Sequence, residues 1–168
     1  LACIRPAVDA LNDLGMREEV QLIVSGGIRS GADVAKVLAL GADAVSIGSA
    51  ALIAIGDNDP KWETEYKELG TTAGAFDDWH IGNDPAGITT QDPELMKRVD
   101  PIKAGERLAN YLRVITLEAQ TIARASGKSH LKNLEPEDLC ALTVEAAAMA
   151  RVPLAGTNWI PGKDGYTT

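Results

Sequence analysis

The chain has 168 residues, 45% of them hydrophobic, which is enough for one ordinary domain with a real core. Its formal net charge of −8 argues against nucleic acid as a partner, since phosphate backbones select basic faces. No apolar run is long enough to span a membrane, and no signal-peptide pattern opens the chain, so a cytoplasmic location is expected.

The two cysteines, Cys3 and Cys140, form no CxxC pair and no disulfide framework. Leu1 is not a start methionine and the sequence opens directly on a helical pattern, so a piece of a longer protein is expected.

Residues 2–14, "ACIRPAVDALNDL", set Ile4, Val8 and Leu11 at helical spacing, with Leu14 closing the stripe and Gly15 stopping the helix. "VQLIVSGG" then reads as a short buried strand of the parallel type. Ser30 and Asp33 have capping-box spacing, with Val34, Val37 and Leu38 facing inward behind them, and Gly41 ends that helix. "DAVSIGS" is the next strand and "AALIAIG" begins another helix. Strand and helix alternating in short units predict a parallel sheet with helical crossovers.

Residues 56–91 are rich in Gly, Asp, Asn and Thr and weakly periodic, the mark of a functional or disordered loop. Trp62, Tyr66, Phe76 and Trp79 favour order there, and residues 61–69 have the composition of a short helix. Beyond it, Asp92-Pro93 and Asp100-Pro101 each pair an N-cap aspartate with a first-turn proline. Leu108, Tyr111, Leu112, Ile115, Ala119 and Ile122 make the apolar stripe of a helix of roughly five or six turns that ends before Gly127. "EPEDLCALTVEAAAMARV" predicts a second helix, started at Pro136, with Cys140 a buried hydrophobe on its apolar face. From Pro153 onward the sequence is tail-like.

The two glycine turns carry the functional signal. A strand that ends in Gly-Gly and feeds a helix exposes several N–H groups at one point, and the missing Cβ lets an oxygen come close. Gly26, Gly27 and Ile28 form one such set; Gly48, Ser49 and Ala50 form a second, roughly twenty residues on. Two adjacent strand ends facing one phosphate is the arrangement expected after the last strands of a (β/α)8 barrel. The plainer alternative makes Gly26-Gly27 a tight turn and Gly48 a close-packing glycine. Ser25 and Arg29 flank the first set; Arg29 is either an anion contact or a rim residue, and the Ser25 and Ser46 hydroxyls are read as structural. No nucleoside triphosphate loop pattern is present. His80 and His130 have no ligand-spaced partner, so no metal site is expected; His80, beside Asp77 and Asp78, is a solvated residue or a general base. Trp62, Trp79 and Trp159 are read as packing or interface residues.

"LIVSGGIRSGADVAKVLALGADAVSIGSAALIAIG" and "PAGITTQDPELMKRVDP" closely resemble the end of the FMN barrel in glutamate synthase large subunits and their stand-alone homologues. The tail, "NLEPEDLCALTVEAAAMARVPLAGTNW", resembles the separate flavin subunit of N-methylglutamate synthase or dehydrogenase systems. The resemblance implies an α/β chain forming the C-terminal portion of a (β/α)8 (TIM) barrel, with residues 1–55 holding the last strands and phosphate loops. Residues 56–91 then stand in for the family's iron–sulfur segment, and residues 92–168 form a mostly helical C-terminal extension. It implies FMN as cofactor, with Gly26 and Gly27 matching the first phosphate loop and Gly48 and Ser49 the second; Ser25, Ile28, Arg29 and Ala50, read from the turns themselves, complete the cofactor-binding candidates. It further implies an oxidoreductase of the 2-oxoglutarate, 2-iminoglutarate or glutamate class, working beside other subunits and inactive as the isolated chain. The family's cluster-binding cysteines have no counterpart: Asp57 and Asp84 stand at the first and last of those places, so no iron–sulfur cluster is expected in this chain. Those carboxylates are expected to be solvated loop residues in preference to ligands of a hard cation. Another FMN- or phosphate-binding barrel enzyme, and a non-catalytic assembly subunit or truncated pseudoenzyme, remain open at this point.

Overall fold

The computed structural model describes residues 1–72 and 82–163. Trp79 and His80, with Phe76, Asp77 and Asp78, lie outside the described residues. The chain divides into two compact units, one of residues 1–46 with 115–168 and one of residues 47–114.

The first unit opens with helix α1 (Ile4–Asp13), which buries Ile4 and Val8. Gly15, at φ +66°, turns the chain out of it. Leu14 does not close the buried stripe as expected. It is the residue at which the helix stops, and it is 71% exposed. Strand β1 (Ile23–Ser25), helix α2 (Gly31–Ala39) and strand β2 (Ala44–Ser46) follow as one βαβ unit. The strands pair in parallel, Ile23 with Ala44, Val24 with Val45 and Ser25 with Ser46. Arg17 locks this register from the N-terminal side. Its two terminal nitrogens each reach an Asp43 oxygen at 3.0 Å, and Asp43 also accepts the Leu22 N–H at 2.7 Å. The Arg17 guanidinium, with the Leu22 amide, holds the Asp43 carboxyl below the usual carboxylate range.

The strands are not buried as their apolar run predicts: Ile23 is 63% exposed. A strand of this kind is covered on both faces only inside a larger layered sheet, and among the described residues this sheet has two strands. The core of the unit lies behind α2 instead. Ala35 and Ala39 pack with Ala123 and Leu134, and with Ile122, Leu131 and Leu139 at the margin. Small residues on α2 let the later helix come close.

That helix, α6 (Pro101–Ala125), is longer than expected at 25 residues and runs through the division between the units. Asp100 starts it, accepting the N–H groups of Ile102 and Lys103 at 3.1 Å. The predicted helix at Pro136 is displaced. Residues Pro136–Asp138 make a single 3-10 turn, Leu139 is extended, and Ala141 pairs with the returning tail at Leu154. Helix α7 (Val144–Ala150) begins only where Thr143 caps it through the Ala146 N–H. Cys140 therefore falls on the extended segment and is exposed, not buried.

The second unit holds α3 (Ser49–Ile55), a 3-10 turn at Pro60–Trp62 continuing into α4 (Glu63–Glu68), α5 (Pro93–Met96), and the first half of α6. Asp92 caps α5 through the N–H groups of Glu94 and Leu95, as its spacing predicts. Arg98 ties the unit together, bonding Glu65 at 2.8 Å and the Pro85 carbonyl at 2.7 Å while covering one face of Trp62. Trp62 is thus a packing anchor, with Lys61 also against its ring. No helix among the described residues is long and apolar enough to cross a membrane.

Candidate functional site

The first glycine turn leaves β1 directly after Ser25, whose register partner Ser46 ends β2, so both strands stop at the same level. Gly26 (φ +103°) and Gly27 (φ +72°) adopt backbone conformations that side chains rarely tolerate. A Cβ at either would meet nothing within 4 Å, so both are glycine for their conformation, and the space before them is open. Among the described residues, no acceptor takes the N–H of Gly26, Gly27 or Ile28. Ile28 is buried and pins the far end of the turn, while Arg29 is exposed at the rim.

The next amides are already used. Asp33 accepts the N–H groups of Arg29 at 3.1 Å and Ser30 at 3.2 Å, and Ser30 Oγ accepts the Asp33 N–H, which completes the predicted capping box. Burial pushes Asp33 up, but the Arg29 amide, Lys36 and Ser30 outweigh it and hold the carboxyl below its ordinary value. An anion entering here meets free amides at the glycines and filled ones at the start of α2. The structure thus places Gly26, Gly27 and Ile28 in one turn with unengaged N–H groups and leaves Ser25 on the exposed strand end.

The second turn, with Gly48, Ser49 and Ala50, belongs to the other unit. Gly48 precedes α3, has open space where a Cβ would stand, and is exposed together with Ser49. The Ser49 and Ala50 N–H groups occupy the first helical turn, where no internal acceptor exists. Each turn, taken within its own unit, leaves backbone N–H groups unengaged.

The acidic pair corrects an expectation. Asp57 and Asp84 are not solvated: they are 4% and 1% exposed. Their Oδ1 atoms lie 2.8 and 2.9 Å from the hydroxyl of Tyr66, itself buried on α4. Asp84 also accepts the N–H groups of Ala86, Ile88 and Thr89 and the Thr89 hydroxyl, at 2.8 to 3.2 Å. Burial pushes the Asp84 carboxyl up, yet the Thr89 amide, Tyr66 and the other amides hold it below the ordinary value. Burial first, and then both carboxyls, push the Tyr66 phenol far above its usual range, so it stays a neutral donor. Both Oδ1 atoms face the Tyr66 hydroxyl, and the Asp84 carboxylate is also committed to the backbone. The pair does not fit an iron–sulfur cluster, which thiolates hold. No cluster of three or more His, Cys, Asp or Glu side chains suited to a metal occurs among the described residues. Sequence reasoning missed Tyr66 as the bridge; its one signal was an aromatic retained in an otherwise polar loop.

His130 is exposed at the start of a 3-10 turn, Leu131–Asn133, and belongs to no group of three or more His, Cys, Asp or Glu side chains among the described residues. Trp159 is half-buried in the returning tail, where its carbonyl accepts the Leu154 N–H.

Comparison with known proteins shows the family. The family described as a conserved region in glutamate synthase matches residues 1–61 and 74–129. A glutamate synthase large subunit-like protein of Rhizobium meliloti (strain 1021) is 82% identical over 166 residues, 99% of this chain and 38% of that protein. An archaeal glutamate synthase (NADPH) of Methanocaldococcus jannaschii is 40% identical over 129 residues, 76% of this chain and 22% of that protein. A chloroplastic/mitochondrial ferredoxin-dependent glutamate synthase 1 of Arabidopsis thaliana is 31% identical over 120 residues, 71% of this chain and 6% of that protein. No solved structure matches. The chain therefore spans well under half the length of these relatives, and on the extent of the family match it belongs to the glutamate synthase family.

Proposed function

We propose that this chain supplies the phosphate-binding end of an FMN site in a longer glutamate-synthase-like oxidoreductase. The observation that carries the reading is the set of unengaged N–H groups at Gly26, Gly27 and Ile28, presented by a positive-φ turn at the end of a parallel strand. Backbone amides at a strand-to-helix turn bind phosphate without needing a cationic side chain, which suits a chain of net charge −8. Gly48 and Ser49 are the counterpart that the family resemblance assigns to the same role, with Ala50 as the next amide and Ser25 and Arg29 flanking the first turn.

The parallel βαβ unit and the exposed faces of β1 and β2 support a place within a larger (β/α)8 barrel. The ring-binding and substrate-binding parts of the site belong to the rest of that barrel. Bound FMN would supply the redox chemistry that interconverts an imine and an amine of the 2-iminoglutarate and glutamate class. The residues of this chain anchor the cofactor's phosphate and leave the ring to other strand ends.

The tail refines the reading. The family match stops at residue 129, while the Rhizobium meliloti relative is aligned over 166 residues. A shared tail supports a subgroup with its own substrate or partner subunits, and N-methylglutamate formation or oxidation is the proposed chemistry. The test is a flavin titration of the full-length protein with FMN and with riboflavin, which lacks the phosphate. The reading expects a yellow holoprotein that prefers FMN by at least tenfold. Equal affinity for the two flavins would remove the phosphate assignment.

A further inference from the structure

We infer that Glu118, on α6, is the positioning residue of the first glycine turn; the inference rests on the phosphate reading above. Glu118 Oε2 accepts the Gly31 N–H at 2.6 Å, across 87 residues of sequence. Gly31 is the first helical residue after the turn, with Ser30 as N-cap. It is buried, and the two backbones touch: a Cβ at Gly31 would stand 2.4 Å from the Ala119 nitrogen and 2.5 Å from the Ile115 carbonyl oxygen. Only a residue without a side chain lets the start of α2 lie this close to α6, and Glu118 then closes the contact with a charge-assisted hydrogen bond.

Two consequences follow for the cradle. The turn between Ser25 and Gly31 is fixed at one end by the β1–β2 register and at the other by the Ser30–Asp33 box and Glu118. Nothing stands within 4 Å of where a Cβ of Gly26 or Gly27 would lie, so their orientation depends on those two ends. Glu118 also fills, together with Asp33, the amides at the start of α2, which keeps an incoming anion at the glycines. Glu118 acts through Gly31.

The experiment uses the full-length protein. Glu118→Ala and Glu118→Asp both withdraw the acceptor from Gly31, the second while keeping the charge; Glu118→Gln keeps an oxygen within reach. FMN and riboflavin affinities are measured by fluorescence titration, with thermal unfolding recorded in parallel. The expected result is an FMN affinity about tenfold weaker in Ala and Asp, riboflavin affinity unchanged, and Gln close to wild type. A folded Ala or Asp variant with the wild-type FMN-to-riboflavin ratio would overturn the inference. A wild-type protein that does not distinguish the two flavins would sink the phosphate reading itself, which is a separate outcome.

Discussion

Tyr66 and Asp84, separated by 18 residues, meet with the phenol oxygen 2.9 Å from Asp84 Oδ1, both residues being buried in the second unit. Asp57 meets the same hydroxyl at 2.8 Å from the end of α3. A single phenol thus joins α3, α4 and the turn at residues 84–90. Replacing Tyr66 by Phe keeps the ring and deletes the donor, leaving two buried carboxyl oxygens facing one another. The expected loss is about 1–3 kcal/mol, the cost of withdrawing a buried donor that faces two carboxylates. Denaturant unfolding of the full-length protein checks it; a midpoint equal to wild type would mean that water reaches these carboxylates.

Asp84 also makes a pH prediction. Its folded-state carboxyl sits below the ordinary value because amides and Tyr66 outweigh its burial. A depressed carboxylate contributes stability above its unfolded pKa, near 4, and loses it as pH falls through the folded value. Asp84→Asn removes that titration. The variant should be clearly less stable than wild type at pH 7, and the gap should narrow as the pH is lowered below about 4. A gap that stays constant down to pH 3 would show that Asp84 does not couple folding to protons.

Gly31 offers a steric prediction that needs no flavin. An alanine there places its Cβ inside the backbone of α6, at atoms that cannot rotate away. Gly31→Ala should cost about 1–3 kcal/mol from overpacking. Alanine at Gly105, an α6 glycine with open space around its Cβ, should be neutral or stabilising by up to about 1 kcal/mol. Thermal unfolding of both variants gives the comparison, and similar melting temperatures would mean that α2 and α6 can slide apart.

What was legible in the sequence was local. The Ser30–Asp33 box, the Asp92 and Asp100 caps and the stop at Gly15 all use partners within a few residues, where spacing alone encodes the contact. What was not legible depends on distance. Asp57 and Asp84 read as loop carboxylates because nothing in a weakly periodic stretch announces that Tyr66 lies between them. The helix expected at Pro136 begins instead at Val144, since the Ala141 pairing with Leu154 holds the intervening backbone extended. The Gly26-Gly27 turn was readable from its residue types. The hydrogen bond from Gly31 to Glu118 just beyond it was not, because the contact spans 87 residues.

The last prediction bears on the glycine turn itself. Gly27 has φ +72° and nothing near its missing Cβ, so an alanine there does not clash in place; it resists the backbone conformation. An L-residue held in that region costs roughly 1–2 kcal/mol. The turn can relieve that cost by rotating, which would swing the Gly27 and Ile28 N–H groups away from a common point. The proposed phosphate site therefore predicts that Gly27→Ala weakens FMN binding by about tenfold or more, because one misaligned amide in a preorganised cradle loses its hydrogen bond to a charged oxygen. Riboflavin binding should be unchanged, and unfolding should shift only by the conformational cost. Titration of both flavins against the full-length variant separates the cases. Equal losses for FMN and riboflavin would point to a general distortion of the site. A selective loss for FMN would tie Gly27 to the phosphate, because the two flavins differ only there.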